Sequence, residues 1–216
     1  MFPAELSKQI KDSAIVAVLV IDDAANAIPL AKALLAGGIN TMELTLRTDA
    51  ALDSLRAIRA EVPEMIAGIG TILTTQQVDE AKAAGAAFGV APGLNRRIVE
   101  RAQEIGLPFG PGIATPSDIE QGLELGCKTL KFFPAETSGG LKHLSNMAAP
   151  YLHMGVDFIP LGGLTAKNMP DYLSSSLIAA IGGSWIAKRD VIAAQDWATI
   201  EKNAREARQI ADSVRK

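Results

Sequence analysis

Cysteine is almost absent. Cys127 stands alone among 216 residues, so neither an intrachain disulfide nor a cysteine-based zinc site can form. That scarcity favours a reducing compartment. Histidine is nearly as rare, with only His143 and His153. No H-x-H or H-E-x-x-H spacing and no carboxylate cluster joins them, so neither a metal ion nor another cofactor is expected. A basic surplus is also missing: 21 lysine and arginine side chains stand against 24 acidic ones, a formal net charge of −3. Such a chain cannot neutralise a phosphate backbone, which sets nucleic acid aside as a partner. The apolar runs are far shorter than the roughly 20 residues that a membrane helix needs. Met1 to Lys8 lacks a charged segment followed by an apolar one, so no secretory signal is expected. The expectation is a soluble, cytoplasmic protein without a membrane partner.

What is present is an ordinary globular mixture, 48% hydrophobic and 21% charged, with 19 glycines and 11 prolines. Intrinsic disorder is excluded by that balance. At about 150 residues per domain, the length allows one large domain or two small ones. Short β-branched runs alternate with longer stretches of helical spacing. The predicted strands are Ile15–Val20, Met42–Arg47, Glu64–Thr71, Ala87–Pro92, Leu107–Ile113, Thr129–Pro134, Phe158–Gly163 and Ile178–Gly183. A helix is expected after each. Asp22 and Asp23 offer caps for the first, and later ones run over about Asp49–Ala60 and Thr74–Gly85. Others begin near Asn95, Pro116, Gly140 and Ala166, and a last one covers Trp197–Val214. Gly85, Gly106 and Gly126 are expected to end helices, and Pro3–Lys11 to form an extra short helix at the start.

Strict alternation of strand and helix argues for a wholly parallel sheet, most simply closed as a (β/α)8 barrel. An open doubly wound sheet is the alternative. It would normally carry a glycine-rich turn after its first strand, where this chain has Ile21-Asp22-Asp23-Ala24-Ala25. No linker, charge run or second domain is visible, so residues 1–216 are expected to form one catalytic domain.

In such a barrel the chemistry lies at the C-terminal ends of the strands. Lys131 alone among the lysines sits in the middle of a strand run, between Leu130 and Phe132. Alternation turns it away from those apolar neighbours and into the barrel. Burial penalises the ammonium and favours the neutral amine, a nucleophile. Glu43, Thr45 and Arg47 alternate with Leu44 and Leu46, so they too should face inward. An inward carboxylate near an inward lysine is either a buried ion pair or an acid/base partner. Arg47 suits a clamp on a substrate carboxylate, and Thr71 emerges at a strand end. Gly162-Gly163 and Gly182-Gly183-Ser184 close the last two strands, where phosphate is often held by backbone N–H groups. His143 and His153 are expected in surface or cap roles, Cys127 as a small buried hydrophobe, and Arg96, Arg97 and Arg101 as a solvated helix face.

On these residues the sequence resembles the 2-keto-3-deoxy-6-phosphogluconate (KDPG)/4-hydroxy-2-oxoglutarate (KHG) aldolases over nearly its whole length. The resemblance is carried by Glu43-Leu44-Thr45-Leu46-Arg47-Thr48, Gly68-Ile69-Gly70-Thr71, Ala91-Pro92-Gly93-Leu94 and Pro111-Gly112-Ile113. It continues through Lys131-Phe132-Phe133-Pro134-Ala135-Glu136 and Gly182-Gly183-Ser184-Trp185. It implies a class I lyase of carbohydrate metabolism, in the Entner–Doudoroff pathway, with Lys131 as the Schiff-base residue and Glu43 as general acid/base. It implies further that Arg47 and Thr71 hold the pyruvate carboxylate, with Pro92 and Phe133 as walls. Gly162, Gly163, Gly183 and Ser184 would cradle phosphate, the partner would be a small phosphorylated keto acid, and the assembly would be a homotrimer. Two departures stand out: Leu161 replaces a usual threonine, and Ala17-Val18 a usual Pro-Val. The change at Leu161 bears on substrate orientation and leaves KDPG, its C4 epimer and KHG all open as substrates. The residues by themselves also allow a phosphosugar isomerase or epimerase, or a non-catalytic phosphometabolite-binding barrel.

Overall fold

Seven of the eight predicted runs yield one strand each and Leu107–Ile113 yields two, every strand shorter than its run. The computed structural model describes residues 1–215. In chain order it begins with α1 (Ala4–Ser13), β1 (Ile15–Leu19), α2 (Ala27–Ala36), β2 (Thr41–Thr45), α3 (Ala51–Glu61) and β3 (Ile66–Gly70). Then come α4 (Thr75–Ala83), β4 (Gly89–Val90), α5 (Arg96–Glu104), β5 (Phe109–Gly110), β6 (Gly112–Ile113) and α6 (Pro116–Glu124). The chain continues through β7 (Thr129–Phe132), α7 (Gly140–Ala148), β8 (Asp157–Pro160), α8 (Met169–Leu173), β9 (Ile181–Gly183), α9 (Arg189–Ala193) and α10 (Trp197–Val214).

Local chemistry sets the helix starts. Thr74 and Gln77 form a capping box for α4, and Thr115 with Asp118 does the same for α6, where Pro116 fills the first turn. Asp23 caps a 3-10 turn, Ala24–Asn26, that leads into α2, accepting from the Ala25 N–H at 2.9 Å. Asp22 has a different partner, an exposed ion pair with Arg189.

All strand pairings are parallel. β5-β4-β3-β2-β1-β9 form one ladder and β6-β7-β8 another. Only Pro111 separates β5 from β6. It has no N–H to donate, while its carbonyl accepts from the Lys131 N–H at 2.9 Å. The predicted strand Leu107–Ile113 therefore continues as two halves that pair with different neighbours. At the other seam Phe158 bridges Ile178, and the Ala179 N–H donates to the Phe158 carbonyl at 2.9 Å. The sheet closes into a (β/α)8 barrel, and the open doubly wound alternative is set aside.

Two corrections concern helices. The one expected near Ala166 starts at Met169, because Asn168 Oδ1 accepts from the Thr165 N–H at 2.7 Å and holds residues 165–168 in a turn. α9 was not expected from the sequence.

The apolar side chains form two shells. Leu19, Met42, Leu44, Leu130 and Phe132 face outward beneath the helices. Val16, Phe88, Val90 and Ile159 fill the lower barrel interior, with Ile10, Leu6 and Phe2 of the N-terminal segment packed below them. The Phe2 and Phe88 rings lie 6.0 Å apart. The floor is thus mostly apolar, with Thr129 beside it, and the charged pair Lys131 and Glu43 stands above it. Among the described residues no helix is long and apolar enough to cross a membrane.

Candidate active site

Leu130 and Phe132 are anchored under the helices, so the pleat turns Lys131 inward from β7; Met42 and Leu44 do the same for Glu43 on β2. The two meet across the barrel. Lys131 Nζ donates to Glu43 Oε1 at 2.9 Å and to Oε2 at 3.2 Å, and the side chains are only 8% and 3% exposed. The ammonium also lies 5.6 Å from the centroid of the Phe133 ring.

β3 makes room for this pair. A Cβ on Gly70 would lie 1.8 Å from Glu43 Oε1, and one on Gly68 would lie 2.4 Å from the Phe88 ring. The alternate glycines of Gly68-Ile69-Gly70 are thus the bare inward positions of a strand facing two large side chains.

Above the pair, Thr45 Oγ1 donates to the Leu19 carbonyl at 2.9 Å and accepts from Arg47 Nε at 3.1 Å. β2 ends at Thr45, and the Arg47 N–H turns back to the Thr45 carbonyl at 2.7 Å. Arg47 therefore sits beyond the strand, at the pocket wall. Thr71 follows β3 with φ +62°, a left-handed conformation unusual for a β-branched residue. Strain of this kind concentrates at functional sites.

These groups surround a pocket of about 330 Å³ at the C-terminal ends of the strands, with Lys131 and Glu43 in its wall. Arg47, Thr71, Pro92, Phe133, Leu161, Gly162, Gly163 and Ser184 all line it. Gly183 is not among its lining residues. Its Cα faces the Trp185 ring, 2.4 Å from an added Cβ, and Gly182 lines the pocket instead. The glycine pair lies inside β9, paired with Val16 and Ala17, within the strand expected over Ile178–Gly183. Both positions need glycine because Leu161 crowds one face, 2.2 Å from an added Cβ on Gly182, and Trp185 the other.

Val18 and Leu164 also line the pocket; the sequence marked Val18 only within the Ala17-Val18 departure and gave neither a site role. Alternation along β1 could have found Val18; nothing in the sequence marks Leu164. His143 lies in α7, stacked at 6.4 Å on Phe132, and His153 lies in a 3-10 segment, Ala149–Met154; neither lines the pocket. Cys127 is buried, and burial pushes its thiol above the usual range. Arg96 and Arg101 make exposed ion pairs with Glu100 and Asp79. Among the described residues no three His, Cys, Asp or Glu side chains are grouped to hold a metal ion.

An amine and a carboxylate in contact at the base of an otherwise open pocket can exchange a proton, freeing the amine to attack a carbonyl. An arginine and a threonine stand beside them to orient an acid, and glycine backbone at the rim is accessible to an anion.

Residues 6–203 match the family described as aldolase, KDPG and KHG aldolase. The KHG/KDPG aldolase of Escherichia coli (strain K12) is 45% identical over 193 residues, which is 89% of this chain and 90% of that protein. A crystal structure of KDPG aldolase from Legionella pneumophila, with pyruvate captured at low pH as a covalent carbinolamine intermediate, superposes with a TM-score of 0.88. It is 35% identical and covers 93% of this chain and 97% of its own. The KDPG aldolase of Zymomonas mobilis ZM4 with 3-phosphoglycerate gives a TM-score of 0.84 at 40% identity, covering 93% and 94%.

Proposed function

The chain belongs to the KDPG and KHG aldolase family, and from that premise we propose that it cleaves KDPG to pyruvate and glyceraldehyde 3-phosphate through a Schiff base on Lys131. One observation carries the reading: Lys131 Nζ within 2.9 Å of Glu43 Oε1, both buried in the wall of the pocket.

Lys131 first passes a proton to Glu43. The neutral amine adds to the C2 ketone of the substrate to give a carbinolamine, which loses water to form a protonated imine. Glu43 returns to the carboxylate and, through one water, takes the proton from the C4 hydroxyl. The C3–C4 bond breaks, its electron pair moves into the imine, and the aldehyde leaves. Protonation of the enamine at C3 and hydrolysis of the imine then release pyruvate and restore the lysine. Arg47 and Thr71 hold the carboxylate, which aims C2 at the lysine. Pro92, Phe133 and Leu161 supply apolar wall, and Gly162, Gly163 and Ser184, beside the Gly182–Gly183 backbone, receive the phosphate. The apolar Leu161 offers no hydroxyl to the C4 position, and KHG, cleaved to pyruvate and glyoxylate, is a second substrate of the same site. The proposed enzyme is one catalytic domain over residues 1–216, acting in the cytoplasm as a homotrimer.

Assaying pyruvate release from KDPG tests the assignment. Lys131→Ala should show none. Glu43→Gln should slow turnover by roughly 10²- to 10⁴-fold, the usual worth of a general acid/base, yet still bind pyruvate covalently. Full activity of either variant would remove the assigned residue from the mechanism.

A further inference from the structure

Behind the glycines at the pocket rim lies a buried tyrosine that the reaction does not use. Tyr172 in α8 is 2% exposed, and its hydroxyl donates to Glu136 Oε1 in the loop after β7. Burial, then the hydrogen bond and charge of Glu136, push this phenol well above its ordinary range, so it stays a donor.

Glu136 is tied in turn to the loop after β8. Its N–H donates to the Gly162 carbonyl at 3.0 Å, and the Ala135 N–H donates to the Leu161 carbonyl at 2.7 Å. The stem of Glu136 occupies the space beside Gly163, 2.6 Å from an added Cβ. On the far side, Asn168 Nδ2 donates to the Gly163 carbonyl at 3.3 Å. Gly162 and Gly163 hold φ of +96° and +82°. Free glycines sample many conformations, so this pair presents its N–H groups to an anion only while its neighbours fix it. The carboxylate of Glu136 would repel that anion if it turned toward the pocket, yet Glu136 is not among the lining residues.

We infer that Tyr172 and Glu136 are positioning residues for phosphate: the tyrosine holds the Glu136 side chain against Gly163, which fixes the Gly162–Gly163 backbone and keeps the carboxylate out of the pocket. The inference rests on the phosphate role proposed above for those glycines. Neither residue touches the reacting atoms, so their effect falls on one end of the substrate only. Preorganisation of this kind shows in binding rather than in chemistry.

The test compares wild type, Tyr172→Phe and Glu136→Ala by three readouts: KDPG kinetics, competitive inhibition by inorganic phosphate, and the pyruvate concentration that half-saturates borohydride trapping. Loss of the hydrogen bond should raise KM for KDPG and Ki for phosphate by roughly 3- to 10-fold. kcat and the pyruvate half-saturation should not move. If KM and Ki stay at wild-type values, or if pyruvate trapping weakens in step with them, the positioning role is overturned. Wild type that inhibitory phosphate does not reach would overturn the phosphate role itself, and this inference with it. Glu136 is exposed, so Glu136→Ala, which removes both the acceptor and the stem beside Gly163, carries the comparison even if Tyr172→Phe fails to fold.

Discussion

Lys131 and Glu43 present an energetic problem before a chemical one. Removing two charges from water costs several kcal/mol for each ion, and their attraction offsets this only with good geometry. Two contacts at 2.9 and 3.2 Å supply that geometry. Taking away one partner leaves the other buried and unpaired. Lys131→Met should therefore lower the unfolding free energy by about 3–5 kcal/mol, and adding Glu43→Leu should restore most of it. Urea denaturation of both variants reads this, and a double variant no more stable than the single one would contradict it. Both residues were legible in the sequence because a charged side chain amid a strand's apolar run is costly unless it has a use. Tyr172 was not legible: it lies in α8 and its partner Glu136 in the loop after β7, and only the fold brings them together.

At the scale of elements, β3 shows how a strand serves the site through side chains it lacks. Gly70 pairs with Thr45 and leaves open the space that the Glu43 carboxylate fills. Gly70→Ala should displace Glu43 from Lys131 and cut kcat to a degree comparable with Glu43→Gln, roughly 10²-fold or more. Steady-state kinetics on the folded variant would check this; retained turnover would mean that Glu43 adapts. The strands themselves were readable from period-2 alternation, but not their ends. Pro111 lies inside an apolar run and interrupts its ladder only because the two halves face different neighbours. The start of α8 was misplaced because the Asn168–Thr165 turn keeps residues of helical composition out of the helix. Gly182 and Gly183 fall within the strand expected over Ile178–Gly183, and what the sequence did not show is that Leu161 and Trp185 crowd them.

At the scale of the molecule, the parallel ring follows from alternation, whereas the way it closes does not. One seam depends on a single bridge, Phe158 to Ile178, and Arg215 reinforces it from the C-terminal end of the chain. Its guanidinium donates to the carbonyls of Ile178 at 2.7 Å, Ala179 at 2.8 Å and Lys11 at 2.9 Å. Burial lowers its pKa. Arg215→Ala should cost about 1.5–3 kcal/mol of stability, the range for hydrogen bonds to a charged group. kcat/KM should persist, since this seam lies at the opposite end of the barrel from the pocket. Denaturation and kinetics on one preparation would separate the two effects; equal loss of both would contradict the separation.

With the supporting floor set apart from the pocket above it, the proposed chemistry falls to one amine, and the most direct measurement is to trap it. The protein is incubated with saturating pyruvate and borohydride, then digested, and the mass increment is located by peptide mapping. The expected result is a single reduced adduct on Lys131. Folded protein with no adduct, or an adduct on another lysine, would contradict the Schiff-base assignment.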